Sequence, residues 1–163
     1  MKAVSDSGPL IHLSWIDHLF LLPRFFDEVS IPVAVRDEIL AASPGSRGLD
    51  KIRRALAEPW LRVQPIANEV EAGLVASLDL GEAEALSHSL QSGADMFLTD
   101  DRAARTAARQ RGLNVIGTIG LLGKARESGI LREAGPLVLE LRRLGQWIEP
   151  TLLQLVLDQD AQR

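Results

Sequence analysis

Twice in this chain a short apolar run stops at an aspartate and passes straight into a helical pattern. Met96-Phe97-Leu98-Thr99 ends at Asp100-Asp101, and the Arg- and Ala-rich stretch Arg102-Ala103-Ala104-Arg105 follows at once. Lys2-Ala3-Val4-Ser5 is followed at once by Asp6-Ser7-Gly8-Pro9, and Leu10-Ile11-His12-Leu13 opens the next helical pattern, with Pro9 suited to a first turn. A buried strand that turns into a helix in this way places its acid at the carboxyl edge of a sheet. Open α/β sheets keep their chemistry at that edge. Aspartate is also a common helix N-cap, so each acid taken alone has a purely structural reading.

The same alternation runs through the rest of the chain. Residues 28–31, 61–64 and 113–117 read as further strands. Helical patterns cover 17–26, where Pro23 ends or kinks the helix, then 32–42, 49–58 and 68–78. More follow at 83–91, 101–110 and 118–128, and the tail holds two at 137–144 and 152–157. Strands alternating with helices imply a parallel sheet covered by helices on both faces. A chain of 163 residues suits one core with a small addition. The expected organisation is an α/β domain over 1–132 and a helical extension over 133–163, packed on the domain or on a second copy. In the tail, Leu137, Leu141 and Leu144 share one helical face, as do Leu152, Leu155 and Val156.

Several chemistries are excluded early. There is no cysteine, hence no disulfide, thiolate metal site or cysteine nucleophile, which suits a reducing cytoplasm. Met1-Lys2 leads directly into a strand pattern rather than a signal peptide, and no apolar run is long enough to span a bilayer. The expected location is cytoplasmic. No Gly-rich phosphate loop and no G-x-G-x-x-G occurs. His12 and His18 sit among apolar residues and read as packing or surface histidines.

What remains is acid. Asp6, Glu38, Glu82, Asp100 and Asp101 each follow a strand or lie near a helix start. Carboxylates gathered in one pocket repel each other unless a cation sits between them. A set of oxygen ligands without His or Cys favours Mg²⁺ or Mn²⁺ over zinc. Such ions activate water and stabilise charge on a transferring phosphate, which points to a metal-dependent phosphodiesterase or phosphatase. The competing reading is a scatter of unrelated surface acids.

The motifs Val4-Ser5-Asp6-Ser7, Val35-Arg36-Asp37-Glu38-Ile39, Gly81-Glu82-Ala83-Glu84-Ala85 and Leu98-Thr99-Asp100-Asp101 occur in that order. With the late run Val115-Ile116-Gly117-Thr118-Ile119-Gly120, they resemble the PIN-domain family, in particular its prokaryotic VapC-like toxins. The resemblance covers about residues 1 to 130. It implies a three-layer α/β/α sandwich around a mostly parallel sheet, a Mg²⁺- or Mn²⁺-dependent endoribonuclease and the toxin role in a type II toxin–antitoxin pair. It also implies an RNA substrate, a small antitoxin protein as partner and a homodimer. It maps the catalytic acids onto Asp6, Glu38, Glu82, Asp100 and Asp101, with Asp6, Glu82, Asp100 and Asp101 as metal ligands and Ser7 and Thr99 in support. Two positions depart from the pattern. Gly8 stands where many relatives carry a hydroxyl residue, and the doubled Asp100-Asp101 leaves the fourth acid ambiguous by one residue. Two rival readings are a non-catalytic PIN-like module that binds RNA or protein, and a receiver-like signalling domain. A receiver calls for a Lys after a late strand, where this chain has Gly117-Thr118.

An RNA partner demands local positive charge. The net charge is −4, and setting five acids aside for metal would leave the remainder at +1. Arg102, Arg105 and Arg109 recur at helical spacing beside the acids, and Arg102 and Arg105 are the expected RNA contacts. Arg36, Arg47, Lys51, Arg53 and Arg54 offer a second patch or simply a solvated face. No aromatic platform for base stacking is evident. Of the two glutamates in Gly81-Glu82-Ala83-Glu84, helical geometry lets only one face a small pocket, since residues two apart point roughly 200° apart. Ala83, Leu86 and Leu90 mark the buried face, and Glu82, in the first turn, is the one expected at the site.

Overall fold

Five short strands carry the fold: β1 (Lys2–Ser5), β2 (Glu28–Pro32), β3 (Leu61–Gln64), β4 (Met96–Leu98) and β5 (Val115–Ile116). In the computed structural model, which describes residues 1–162, they form one sheet in the order β3-β2-β1-β4-β5. Every pairing is parallel. Strands covered on both faces need continuous apolar runs rather than alternation. The central strands obey this: Ala3, Val4, Val29, Ile31, Phe97 and Leu98 are all buried.

Among the described residues, ten helices accompany the sheet. They are α1 (Ser7–Trp15), α2 (Leu21–Phe25), α3 (Val33–Leu40), α4 (Leu49–Ala55) and α5 (Ala72–Ser77) in the first half. The second half holds α6 (Leu80–Ser92), α7 (Arg102–Gln110), α8 (Thr118–Glu127), α9 (Gly135–Arg143) and α10 (Pro150–Ala161). The sheet grows one way from β1 to β3 and the other way from β4 to β5. Right-handed crossovers therefore put the connections of the two halves on opposite faces. Packing follows that rule: α1 lies against α4 and α8, whereas α6 lies against α7 and strands β1, β2 and β4. The result is the expected three-layer α/β/α arrangement. α3 touches both α1 and α6.

Leu10 and Leu13 from one helical layer and Leu86 from the other lose all solvent contact against the sheet. Burial of each such side chain stabilises by about 1.5–3 kcal/mol. The tail joins the same core through Val138 and Leu141 of α9 and Leu153 and Val156 of α10. Asp160 pins it further: it pairs with Arg126 of α8 at 2.7 Å and accepts from the amides of Ala134 at 3.2 Å and Gly135 at 2.6 Å.

The structure corrects several local expectations. α1 begins at Ser7, earlier than the first apolar residue, because Asp6 caps it. The helix expected over 17–26 shrinks to α2, and Pro23 falls in its first turn, where no amide donor is needed. The helix expected over 68–78 shrinks to α5, because the amides of Ala67 and Asn68 donate to the Gln91 side chain at 2.9 and 3.0 Å instead. The last strand contracts to Val115 and Ile116. Leu90 is exposed, since the residues buried along α6 are Gly81, Ala83, Ala85, Leu86, Ser87, His88 and Ser89. In the tail, Leu155 faces solvent and Leu153 takes the buried place. Among the described residues no helix is long and apolar enough to cross a membrane.

Candidate active site

β1 and β4 are neighbours at the centre of the sheet, yet the connections that leave them run over opposite faces. Their carboxyl ends thus form a topological switch point, the crevice in which open α/β sheets bind ligands. Ser5 is in register with Leu98, and the Asp6 amide donates to the Leu98 carbonyl at 3.0 Å. This registration brings Asp6 beside Thr99, Asp100 and Asp101.

Asp6 caps its helix and also reaches the end of β4. One oxygen, Oδ1, caps α1 by accepting from the Gly8 amide at 3.1 Å. The other, Oδ2, accepts from the Thr99 hydroxyl. Burial pushes the carboxyl well above its usual range; the Thr99 bond opposes this, and the charges of Asp100 and Glu82 raise it further. Thr99 is a hub: its oxygen also accepts from the Asp101 amide at 3.1 Å. Asp101 then caps α7, accepting from the Ala104 amide at 2.7 Å.

The doubled aspartates have different surroundings. Asp100 turns away from the cap and accepts three bonds. Thr118 donates from its amide to Oδ1 at 2.7 Å and from its hydroxyl to Oδ2 at 2.6 Å. The His12 ring meets Oδ2 through Nδ1 at 2.6 Å. Burial alone would raise this carboxyl, but His12 and Thr118 together outweigh it and hold Asp100 below the usual carboxylate value.

Glu82 lies in the first turn of α6 and closes a capping box with Asp79. The Glu82 amide donates to Asp79 Oδ1 at 2.9 Å, and the Asp79 amide donates to Glu82 Oε2 at 3.2 Å. The cap does not exclude the site. Burial first, then the charges of Asp101 and Asp79, push Glu82 up to about 7. Glu84 takes no part in this network among the described residues. Glu38 stands at the margin. It is exposed on α3 and accepts from the Ser7 hydroxyl at 3.0 Å. Burial and then the charge of Asp79 raise it, with the Ser7 bond opposing. It also packs so tightly on Gly81 of α6 that a side chain at that glycine would strike Oε2.

Four of the five acids named from the sequence, Asp6, Glu82, Asp100 and Asp101, therefore feel one another's charge, and Glu38 reaches them through Ser7. Ser7 donates to Glu38, and Thr99 donates to Asp6. The reading of His12 as a packing or surface histidine is overturned, since its half-buried ring binds Asp100. The overlooked signal was spacing. Gly8 faces the crevice, with Asp100 Cβ 3.4 Å from where its own Cβ would be, and His12 lies one helical turn further along the same face. Thr118 was also missed; only the return of β5 to the crevice places it there.

Of the expected RNA contacts, Arg102 is exposed, whereas Arg105 is half-buried and donates to the Thr99 carbonyl at 3.5 Å. The second basic patch is partly neutralised: Arg36 pairs with Asp37 at 2.8 Å, Arg53 with Asp50 at 3.9 Å, and Lys51 with Asp17. An aromatic does border the site. Trp15 meets the His12 ring edge-on at 4.9 Å between centroids and lines a hollow of about 360 Å³ together with Glu38 and Arg47.

Among the described residues no three His or acidic side chains stand together as a ready ligand set for a metal ion. The carboxylates are tied back by their own hydrogen bonds and by mutual repulsion. The donor set nonetheless fits a hard divalent cation. Its carboxylate and hydroxyl donors are oxygens, Asp6 and Glu82 are raised partly by the charge of acidic neighbours, and open acceptor positions remain. An ionised carboxylate offers about four such positions. Asp6 has two filled, Asp101 and Glu82 one each, and Asp100 three.

A family model described as a PIN domain (DUF3368) matches residues 2–162. Among solved structures, a PilT N-terminus domain protein from the archaeon Sulfolobus solfataricus P2 is similar, with a TM-score of 0.55 over 77% of this chain and 93% of that one. The two are 18% identical, so the likeness is one of fold. No curated protein matches the chain.

Proposed function

From a chain that belongs to the PIN-domain family, a fold generally used by nucleases, we propose a metal-dependent endoribonuclease that acts as the toxin of a type II toxin–antitoxin pair. The observation that carries the nuclease reading is the gathering of Asp6, Glu82, Asp100 and Asp101 at the switch point, with Asp6 and Glu82 raised in part by their acidic neighbours. Such a cluster is stabilised by positive charge.

Asp6, Glu82, Asp100 and Asp101 are the residues to hold Mg²⁺ or Mn²⁺. A divalent ion bound there supplies water activation and offsets charge on the phosphoryl oxygens. The protein's own part is placement. Thr99 ties Asp6 to the end of β4, Asp101 anchors α7, and Ser7 keeps Glu38 at the mouth of the site. Arg102, exposed at the start of α7, binds the RNA backbone next to the acids, with Arg105 behind it. The order of Gly81-Glu82-Ala83-Glu84-Ala85, Thr99-Asp100-Asp101 and Val115 to Gly120 supports the VapC-like branch, and with it a small antitoxin protein and a second copy of the chain as partners.

The test is cleavage of single-stranded RNA with Mn²⁺, with EDTA, and by Asp6→Asn. Cleavage that needs the ion and the acid supports the proposal. RNA binding without cleavage under any metal would leave a non-catalytic binding module instead.

A further inference from the structure

We propose that His12 is a positioning residue of this site. With Thr118 it fixes the orientation of the Asp100 carboxylate and leaves one acceptor position on Oδ1 for a cation. The inference rests on the metal-nuclease reading.

The geometry leaves little freedom. Oδ2 receives the His12 ring and the Thr118 hydroxyl, each at 2.6 Å, which fills both of its lone-pair directions. Oδ1 receives only the Thr118 amide at 2.7 Å. The Thr118 amide and hydroxyl both donate to Asp100, so the carboxylate is the acceptor here, and the 2.6 Å contact puts the ring proton on His12 Nδ1. The ring itself cannot swing freely, because Trp15 meets it edge-on at 4.9 Å one turn along α1. The chain therefore runs from Trp15 through His12 to Asp100. A histidine kept only for packing would not need a carboxylate partner at this distance. Donors behind a ligating carboxylate fix its orientation, and losing one costs about 10- to 100-fold in metal affinity or activity.

The experiment compares the parent protein with His12→Asn, His12→Leu and Thr118→Val. Mn²⁺ affinity is measured calorimetrically on the protein alone, and kcat and KM are measured on single-stranded RNA. His12→Leu is expected to lose about 10- to 100-fold in Mn²⁺ affinity and in kcat, with KM for RNA nearly unchanged. His12→Asn should recover most of the loss, because its amide nitrogen stands close to the position of ring Nδ1. A folded His12→Leu protein with parental affinity and kcat overturns the proposal. So does a loss confined to KM, or an Asn variant as poor as the Leu one, which would make ring packing against Trp15 the true role. Should His12→Leu not fold, Thr118→Val decides, since it removes a donor from the same oxygen; parental Mn²⁺ affinity there overturns the idea. If the parent binds Mn²⁺ without cutting RNA, the ribonuclease reading falls while the affinities still judge His12. If the parent binds no Mn²⁺, both fall.

Discussion

The backbone of Gly117 passes so close to Asp100 that a Cβ at this glycine would lie 2.7 Å from Asp100 Oδ1 and 2.9 Å from the Thr99 carbonyl. The glycine is there for space, since its φ of −103° is open to any residue. It lets the Thr118 amide reach the carboxylate. The backbone carbonyl has no room to yield, so Gly117→Ala should cost about 1–3 kcal/mol of stability, as overpacking typically does. It should also weaken Mn²⁺ binding by displacing Asp100. A urea titration showing an unchanged midpoint would refute this.

Asp6→Asn and Asp101→Asn should each lower RNA cleavage about a hundredfold or more, the equivalent of a few kcal/mol of lost transition-state stabilisation. Circular dichroism should show the fold intact. The metal-free Asp6→Asn protein should melt higher than the parent, because the buried, mutually repelling charge is gone. A normal rate from both variants sinks the acidic-site reading.

Stability of the metal-free protein should rise as pH is lowered from about 8 to about 5. Glu82 ionises at about 7 in the fold against 4.5 ordinarily, so the folded state binds this proton more tightly than the unfolded chain does. Ionisation therefore destabilises: the cost is complete above about 7 and vanishes as pH falls toward 4.5. Asp6 acts in the same direction. Melting in EDTA across this range should show the slope, and Glu82→Gln should flatten it. A Gln variant with the parental slope would assign the proton elsewhere.

Arg102→Glu should weaken RNA binding and reduce its salt slope by roughly one unit without lowering the melting point. Arg105→Glu should do both, because Arg105 is half-buried and bonded to the Thr99 carbonyl. Equal melting points for the two variants would show that the Arg105 bond is of no structural weight.

Ending the chain after Gly135 should destabilise it and promote aggregation. The cut would remove Val138, Leu141, Leu153 and Val156 from the core and leave Arg126 without Asp160. Removing one partner of such a pair typically costs about 3–5 kcal/mol. A soluble truncated protein that melts normally would show the tail to be dispensable.

The strands and most helices were legible because apolar runs and helical spacing are local properties. Asp6, Asp100 and Asp101 could be read because each follows its strand directly. The two halves of the capping box, Asp79 and Glu82, also sit three residues apart in plain view. His12 and Thr118 were hidden because their value depends on which strands become neighbours. Nothing near His12 in sequence announces that β4 will lie beside β1. Gln91 likewise cannot be seen to replace a helical turn at Ala67 and Asn68 until α6 is in place.

The pairing of β1 with β4 joins residues far apart along the chain: Asp6 and Thr99 are separated by 93 positions. As the polypeptide leaves the ribosome, β1 can pair with β2, and β2 with β3, while β4 has yet to be made. Contacts of such long sequence separation form late, after loop closure has been met. Asp6 is thus synthesised first, and Glu82 of α6 follows it to the edge of a growing sheet. Asp100, Asp101 and Thr118 reach it only when the other half has been made. A nascent or prematurely ended chain lacking β4 holds Asp6 and Glu82 without Asp100 and Asp101, only half of the cluster. Any activity of the site therefore switches on with completion of the sheet, a form of timing written into strand order.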